Sequence, residues 1–343
     1  MGSVGALASS VVISVGLLTH CSAAPEGVRE EQISFTNGDA RLAGTIVWPA
    51  GRRRVPAVAL LHGSGPQGRD LTTARWFAEQ GLAALAYDKR GVGASTGDFR
   101  VVPFTALAGD GLAAVHWLQQ QPLVDSHRVG LWGLSQGGWL GPLAASQSSD
   151  VAFVIAVSGP GVSPGDQMIF YYANQLKQAG IDEATVRELS AVRRLVWDAA
   201  FTGVGIPSAE EQIARLRREV TQPAAVDQIT ALSATLAHPS SLWITEEMRY
   251  DPVATLRQLR APSLFVFGDQ DELVPVPESI DVIRRTLSEV QRCDFTIVTV
   301  SGADHVLDIR GPDGERSQAS QYLEAMITWL RAKVMEGRVP AAR

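Results

Sequence analysis

Val129-Gly130-Leu131-Trp132-Gly133-Leu134-Ser135-Gln136-Gly137-Gly138 is the stretch on which the fold turns. A short apolar run leads into a serine flanked by glycines, and a helical pattern follows over 136–145. A serine on a sharp turn between a strand and a helix is a nucleophile elbow: the glycines relieve crowding, and the next residue offers its backbone N–H to an oxyanion. Gly-x-Ser-x-Gly also occurs around Ser95 and Ser163, so context has to choose. Ser163 is followed by Pro164, which has no N–H to donate. Ser95 lies eight residues beyond Tyr87 and runs into Thr96-Gly97-Asp98 with no helical signal, which reads as loop. Ser135 is therefore the candidate nucleophile and the Gln136 N–H a candidate oxyanion donor.

Outward from this stretch, further apolar runs stand at Val58-Ala59-Leu60-Leu61, Ala83-Ala84-Leu85-Ala86-Tyr87 and 151–157. Helical patterns at 71–80 and 106–120 separate the earlier ones. Unbroken apolar strands alternating with amphipathic helices predict a parallel sheet covered on both faces. Residues 31–48 alternate in the manner of a hairpin around Asn37-Gly38 and predict an antiparallel edge. From 166 to about 251 the rhythm changes to helical periodicity alone, over 168–178, 182–200 and 209–220. Strand character returns at 263–267 and 295–300, with a helix between them and a last helix over 317–336. The expected organisation is an export segment or anchor at 1–24, a first core part at 25–165, an inserted helical cap at 166–255 and a second core part at 256–343.

The loop after the strand at 58–61, His62-Gly63-Ser64-Gly65-Pro66, is glycine-rich, and the Ser64 N–H is the expected second arm of the oxyanion hole. His62 itself reads as a hydrogen-bonded scaffold residue. A base and an orienting acid should follow the nucleophile at later strand ends, where open α/β sheets carry their chemistry. The strand at 263–267 runs into Gly268-Asp269-Gln270-Asp271, and the strand at 295–300 into Ser301-Gly302-Ala303-Asp304-His305. Of the six histidines, His305 alone follows a late strand, so it is the candidate base. Asp271 is preferred over Asp269 as its partner, because it stands far enough past the strand for the loop to turn its side chain. Asp269 is expected to bond local backbone N–H groups. Asp88-Lys89-Arg90 reads as an ion-paired turn at a strand end. The aromatics Phe170, Tyr171, Tyr172, Trp197, Phe201 and Trp243 are expected to form the core of the cap, with one or two walling a pocket. Glu183, Glu188, Glu210, Glu211, Glu246 and Glu247 read as solvated helix faces.

His62 to Pro66, Tyr87 to Ser95, Gly133 to Gly138, Gly268 to Pro275 and Gly302 to His305 together resemble the α/β-hydrolase superfamily. Within it, the Asn37-Gly38 hairpin and Gly63-Ser64-Gly65-Pro66-Gln67-Gly68-Arg69-Asp70 resemble exported bacterial carboxylesterases related to the serine aminopeptidase-like hydrolases. The resemblance spans about residues 30–335 and is weakest across the cap. Trp132-Gly133-Leu134-Ser135-Gln136 departs from such relatives, which often carry His before the serine and Glu after it. The resemblance implies an α/β-hydrolase fold with a Ser135–Asp271–His305 triad cleaving a small-molecule carboxylic ester through an acyl-enzyme. No metal or organic cofactor is implied. Amide or peptide cleavage is the nearest alternative, and a binding protein that keeps the fold without turnover is another.

The 343 residues carry 36 acidic and 30 basic side chains, a net charge of -6 without a basic stripe, which argues against nucleic acid as a partner. No charge occurs between Val4 and Thr19, and small residues follow at Ser22-Ala23-Ala24, as in an export signal, although no Lys or Arg precedes the apolar run. An uncleaved membrane anchor is the alternative, and Cys21 loosely resembles the lipid-attachment cysteine of a bacterial lipoprotein. Cys293 is the only other cysteine and reads as a small half-buried hydrophobe, so the mature chain would hold no intramolecular disulfide and no thiolate zinc cluster.

Overall fold

The computed structural model describes residues 27–51, 53–238, 246–291 and 294–336. The export segment, Cys21, Trp243, Cys293 and the side chain of Glu246 lie outside these residues.

The chain runs β1 (Arg29–Asn37), β2 (Ala40–Trp48), β3 (Val55–Leu61), α1 (Leu71–Glu79), β4 (Ala83–Tyr87), α2 (Phe104–Gln119), β5 (Val124–Leu134), α3 (Gln136–Gln147) and β6 (Val154–Val157). Four helices follow with no strand among them: α4 (Pro164–Gln178), α5 (Glu183–Thr202), α6 (Ile206–Glu219) and α7 (Pro223–Ala237). A 3-10 turn at Glu246–Arg249 leads to α8 (Pro252–Gln258), β7 (Ser263–Gly268), α9 (Val276–Glu289), β8 (Phe295–Val300), β9 (Asp308–Arg310), β10 (Arg316–Gln318) and α10 (Ser320–Leu330).

Eight strands form one sheet in the order β1-β2-β4-β3-β5-β6-β7-β8, with the β1–β2 hairpin antiparallel at one edge and every pair from β4 to β8 parallel. Successive side chains of a strand point to opposite faces, so a run such as 55–61 is apolar throughout because both faces are covered. Val55, Ala57, Ala59 and Leu61 enter the cluster under α2, α3, α8 and α9, while Val58 and Leu60 join Phe77 of α1 and Tyr322, Met326 and Trp329 of α10. Strand β7 divides in the same way, Phe265 and Phe267 to the first face and Leu264 and Val266 to the second. Helices α4 to α7 bury a third cluster of their own around Leu176, Leu189, Val196, Ile213, Leu216, Ile229 and Leu232.

Two elements differ from expectation. The apolar run from Val151 becomes strand only at Val154, although Val151 and Phe153 are already buried in coil. The last helix begins at Ser320 rather than Ser317, because Ser317 and Gln318 are drawn into an antiparallel ladder against Ile309 and Asp308. Asp313-Gly314 is the turn signal for that hairpin, with Gly314 at φ 84°.

The chain leaves β3 toward β4 on one side and returns to β5 on the other, so the sheet reverses its winding at β3. Ligands of open α/β sheets bind beyond the carboxyl ends of strands at such a reversal. Close packing there leaves no room at Gly138, where a methyl group would sit 2.3 Å from the Cα of Gly159. Gly138→Ala should therefore destabilise the protein by about 3 kcal/mol. Gly68→Ala, whose methyl would meet nothing nearer than 3.6 Å, should stay close to the parent in urea denaturation. Equal midpoints for both variants would show that the α3 contact is not tight.

Candidate active site

Ser135 occupies the single residue between β5 and α3, with φ 56° and ψ -113°. Such a backbone costs a residue with a Cβ about 1–3 kcal/mol, which the surrounding packing has to hold in place. The Ser135 N–H donates to Val157 O at 2.9 Å, and the Gly138 N–H donates back to Ser135 O at 2.8 Å. The flanking glycines are sterically required. A methyl at Gly133 would stand 2.3 Å from Gly137 O, and one at Gly137 would stand 2.9 Å from Leu61 O. The elbow is thus pressed against the end of β3, its neighbour in the sheet.

The loop after β3 lies beside it. The Gly63 N–H is taken by Gln67 Oε1 at 2.9 Å, whereas the Ser64 N–H has no protein acceptor among the described residues. Lys89, just beyond β4, reaches across both segments. Its Nζ donates to Gly63 O at 2.8 Å, Gly65 O at 3.1 Å and Gln136 Oε1 at 2.7 Å, and it lies 4.8 Å from the centroid of the Phe99 ring.

At the carboxyl ends of β7 and β8, Asp271 and His305 are paired, Nδ1 to Oδ2 at 2.8 Å. The Asp271 side chain is fully buried, and its other oxygen accepts the Leu273 and Val274 N–H groups at 2.8 and 2.9 Å. Both carboxylate oxygens are therefore fixed, and with them the imidazole plane. Asp269 points elsewhere, accepting from the Gly302 N–H at 2.7 Å and the Ser301 hydroxyl at 3.1 Å. The Gln270 amide and these partners hold its carboxyl below the ordinary value. No hydrogen bond joins Ser135 Oγ to His305 among the described residues. Helix α4 packs over this loop, the Gln167 and Asn174 amides donating to Leu273 O and Glu272 O.

His62 donates from Nε2 to Tyr87 O at 2.6 Å, because a carbonyl can only accept. Burial, helped by the Lys89 charge, lowers its pKa to about 4, so it is neutral near pH 7 and occupied in holding β3 to β4. Ser95 sits in a loop, accepting the Ala43 N–H and donating to Asp88 O, and Ser163 caps α4.

Two groups have a different place from the one the sequence suggested. Asp88 and Arg90 are ion-paired, to Arg69 at 2.7 Å and to Asp110 at 2.6 Å, but Lys89 between them has no carboxylate within 4.0 Å among the described residues. Burial lowers its pKa to about 7, against the pull of Glu247. Glu247, expected on a solvated face, is half-buried in the 3-10 turn before α8. Burial raises its carboxyl from 4.5 to about 7, opposed by Lys89. Neither departure was marked by residue type: Lys89 is enclosed by the loop after β3 and the start of α3, and Glu247 lies in the segment that returns from the helices to the sheet.

The raised Glu247 carboxyl keeps a proton in the folded state that the unfolded chain releases between about pH 4.5 and 7. Its contribution to stability is therefore present below that window and is lost as pH rises through it. Glu247→Gln, neutral throughout, should lose less stability than the parent across the window. Urea midpoints measured at its two ends check this, and parallel losses in the two proteins would refute it.

Residues 37–288 match the family model of the X-Pro dipeptidyl-peptidase (S15) family. An uncharacterised 31.7 kDa Escherichia coli protein from the traX-finO intergenic region is 26% identical over 237 residues, 68% of this chain and 79% of that one. Esterase EstD of Thermotoga maritima is 25% identical over 256 residues, 72% of this chain and 53% of that one. Among solved structures, the α/β hydrolase GrgF of Penicillium sp. superimposes with a TM-score of 0.58 at 19% identity, covering 90% of this chain and 99% of that one. Esterase Pf2001 of Pyrococcus furiosus does so with a TM-score of 0.54 at 16% identity, covering 89% and 93%. The structural likenesses establish the fold, and the family match, reaching from the end of β1 into α9, establishes membership: the chain belongs to the X-Pro dipeptidyl-peptidase (S15) family and is a hydrolase of the α/β-hydrolase fold.

Proposed function

We propose that the protein is a serine hydrolase that cleaves carboxylic esters of short to medium acyl chain through an acyl-enzyme. The observation that carries this reading is the buried, doubly anchored Asp271 holding His305 at 2.8 Å, on the same sheet edge as the strained Ser135 elbow. In the proposed cycle His305 Nε2 takes the Ser135 proton as Oγ attacks the ester carbonyl carbon. The N–H groups of Ser64 and Gln136 receive the oxyanion. Collapse breaks the bond to the alkoxide, which leaves with the proton from His305. Water, deprotonated in turn by His305, then attacks the acyl carbon and releases the acid and Ser135. Asp271 holds the imidazole in the tautomer that presents Nε2 to the serine. The substrate is a small-molecule ester, and the apolar stretch at 4–19 supports export of the enzyme.

Ester is preferred to amide on two grounds. An amide leaving group needs accurate protonation as it departs. In addition, Phe170 and Tyr171 of α4 are half-buried between Gln167 and Asn174, the residues by which that helix contacts the Asp271 loop, and offer a largely apolar surface that suits an acyl chain. The names of EstD and Pf2001 point the same way. One observation favours a second reading, a peptidase acting at a free amino terminus. Glu247, within electrostatic reach of Lys89, is a half-buried carboxylate of the kind an ammonium group needs, and the family description names such an activity.

Ser135→Ala should fold normally, lose labelling by a fluorophosphonate probe, and lose turnover by about 10⁴-fold or more. Asp271→Asn should be far more damaging than Asp269→Asn. Retained turnover in Ser135→Ala, or the reverse order of the two aspartates, would overturn the assignment.

Specificity constants for p-nitrophenyl butyrate or octanoate should exceed those for aminoacyl p-nitroanilides. A preference for the anilides that disappears in Glu247→Gln would replace the esterase reading by the peptidase one.

A further inference from the structure

The ammonium of Lys89 is almost completely buried, its residue only 2% exposed, in a place where an ordinary strand-end lysine would reach for solvent. It spans the ends of three adjacent strands. Lys89 follows β4, two of its acceptors belong to the loop after β3, and the third is the side chain of the first residue of α3, next to Ser135. Three acceptors meet three protons. A protonated lysine has three donors and no acceptor, so Gly63 O, Gly65 O and Gln136 Oε1 match the cation, whereas a neutral amine would leave one of them without a proton. The face of Phe99 adds a favourable surface for the charge.

These acceptors matter because of what lies on their far side. In a trans peptide the carbonyl and the following N–H point in opposite directions. The peptide that presents Gly63 O to Lys89 therefore aims the Ser64 N–H away from Lys89, and that N–H has no protein acceptor among the described residues. A cation on the carbonyl also polarises the peptide and strengthens its N–H as a donor. The grip on Gln136 Oε1 ties the first residue of α3 to the same point, and with it the backbone N–H that follows the elbow.

We propose that Lys89 is a positioning residue that sets the two arms of the oxyanion hole relative to one another, by binding Gly63 O and Gly65 O on one side and the Gln136 side chain on the other. The proposal rests on the serine-hydrolase reading of Ser135. Lys89 touches no substrate atom; it acts through the Ser64 and Gln136 N–H groups, and its benefit is larger in the tetrahedral state, where the oxygen is charged, than in the bound ester.

The test uses the full chain and three variants, Lys89→Met, Gln136→Met and Ser135→Ala. Lys89→Met should lower kcat for p-nitrophenyl butyrate by about 10²-fold, the scale of losing one oxyanion donor, with KM changed by less than about threefold. Affinity for an alkyl trifluoromethyl ketone, which adds the serine and then carries the oxyanion, should fall by the same factor as kcat/KM. Gln136→Met, which removes one of the three acceptors, should give a smaller loss of about tenfold on the same pattern and serves alone if Lys89→Met does not fold. A kcat within about threefold of the parent in both variants, or a loss of kcat with ketone affinity unchanged, would overturn the positioning role. Ser135→Ala separates the two levels. If it is inactive while Lys89→Met is fully active, only the role of Lys89 fails; if it keeps turnover, the reading of the site fails and the Lys89 proposal with it.

Discussion

The positive φ of Ser135 is the constraint on which the site depends. A side chain in that conformation persists only where the surroundings leave no alternative, and here the surroundings are backbone. Gly133 lets the elbow fold tightly on itself, and Gly137 and Gly138 let it press against the end of β3 and the loop after β6, at distances that no Cβ could share. The contact brings the glycine-rich loop after β3 within reach of the elbow. It also leaves the start of α3 facing the same crevice, where a helix N-terminus presents unpaired N–H groups. The sheet reverses at β3, so this crevice opens where the fold leaves room for a ligand.

Around that contact the protein buries an unusual amount of charge. Asp88, Lys89 and Arg90 are each less than a tenth exposed, and each is handled differently. Burial works to raise the Asp88 carboxyl, but hydrogen bonds from Arg69 and Ala94 outweigh it and hold it below its ordinary value. Arg90 is neutralised by Asp110, itself buried and bonded by Asn37 at the hairpin turn of β1 and β2. These pairs lock the edge hairpin to the sheet next to the site. Removing one partner of such a pair would leave an isolated buried charge, which is costly even where the intact pair adds little net stability. Lys89 is satisfied by carbonyl and amide oxygens instead, with no carboxylate within ion-pair distance among the described residues, beside the N–H groups proposed to receive the oxyanion.

Helices α4 to α7 have an apolar cluster of their own, whereas α8, on the way back to β7, places Leu256 in the core under the sheet. The influence of the insertion on the site is local. Gln167 and Asn174 clamp the loop that carries Asp271, and the 3-10 turn on the way back to the sheet places Glu247 near Lys89.

Short-range patterns determined much of this in the sequence itself. Unbroken apolar runs required a sheet covered on both faces, and Gly-x-Ser-x-Gly between a strand and a helix singled out Ser135 from Ser95 and Ser163. The position of Asp271 and Asp269 relative to the strand end distinguished the residue that reaches His305 from the one that folds back onto Gly302. Those features depend on the spacing of neighbours along the chain, which a sequence displays directly. What it could not display was the company kept by residues distant in sequence. Lys89 looked like the middle of an ion-paired turn, and nothing in Asp88-Lys89-Arg90 reveals that its acceptors lie 24 to 47 positions away, in Gly63, Gly65 and Gln136. Glu247 looked like one more surface glutamate until the return from the cap buried half of it. The weak hairpin at Asp308–Arg310 and Arg316–Gln318 won over the helical pattern for the same reason, since a ladder is formed between segments and is absent from the periodicity of either. Burial and charge environment are properties of the assembled neighbourhood, and only the tertiary structure decided them.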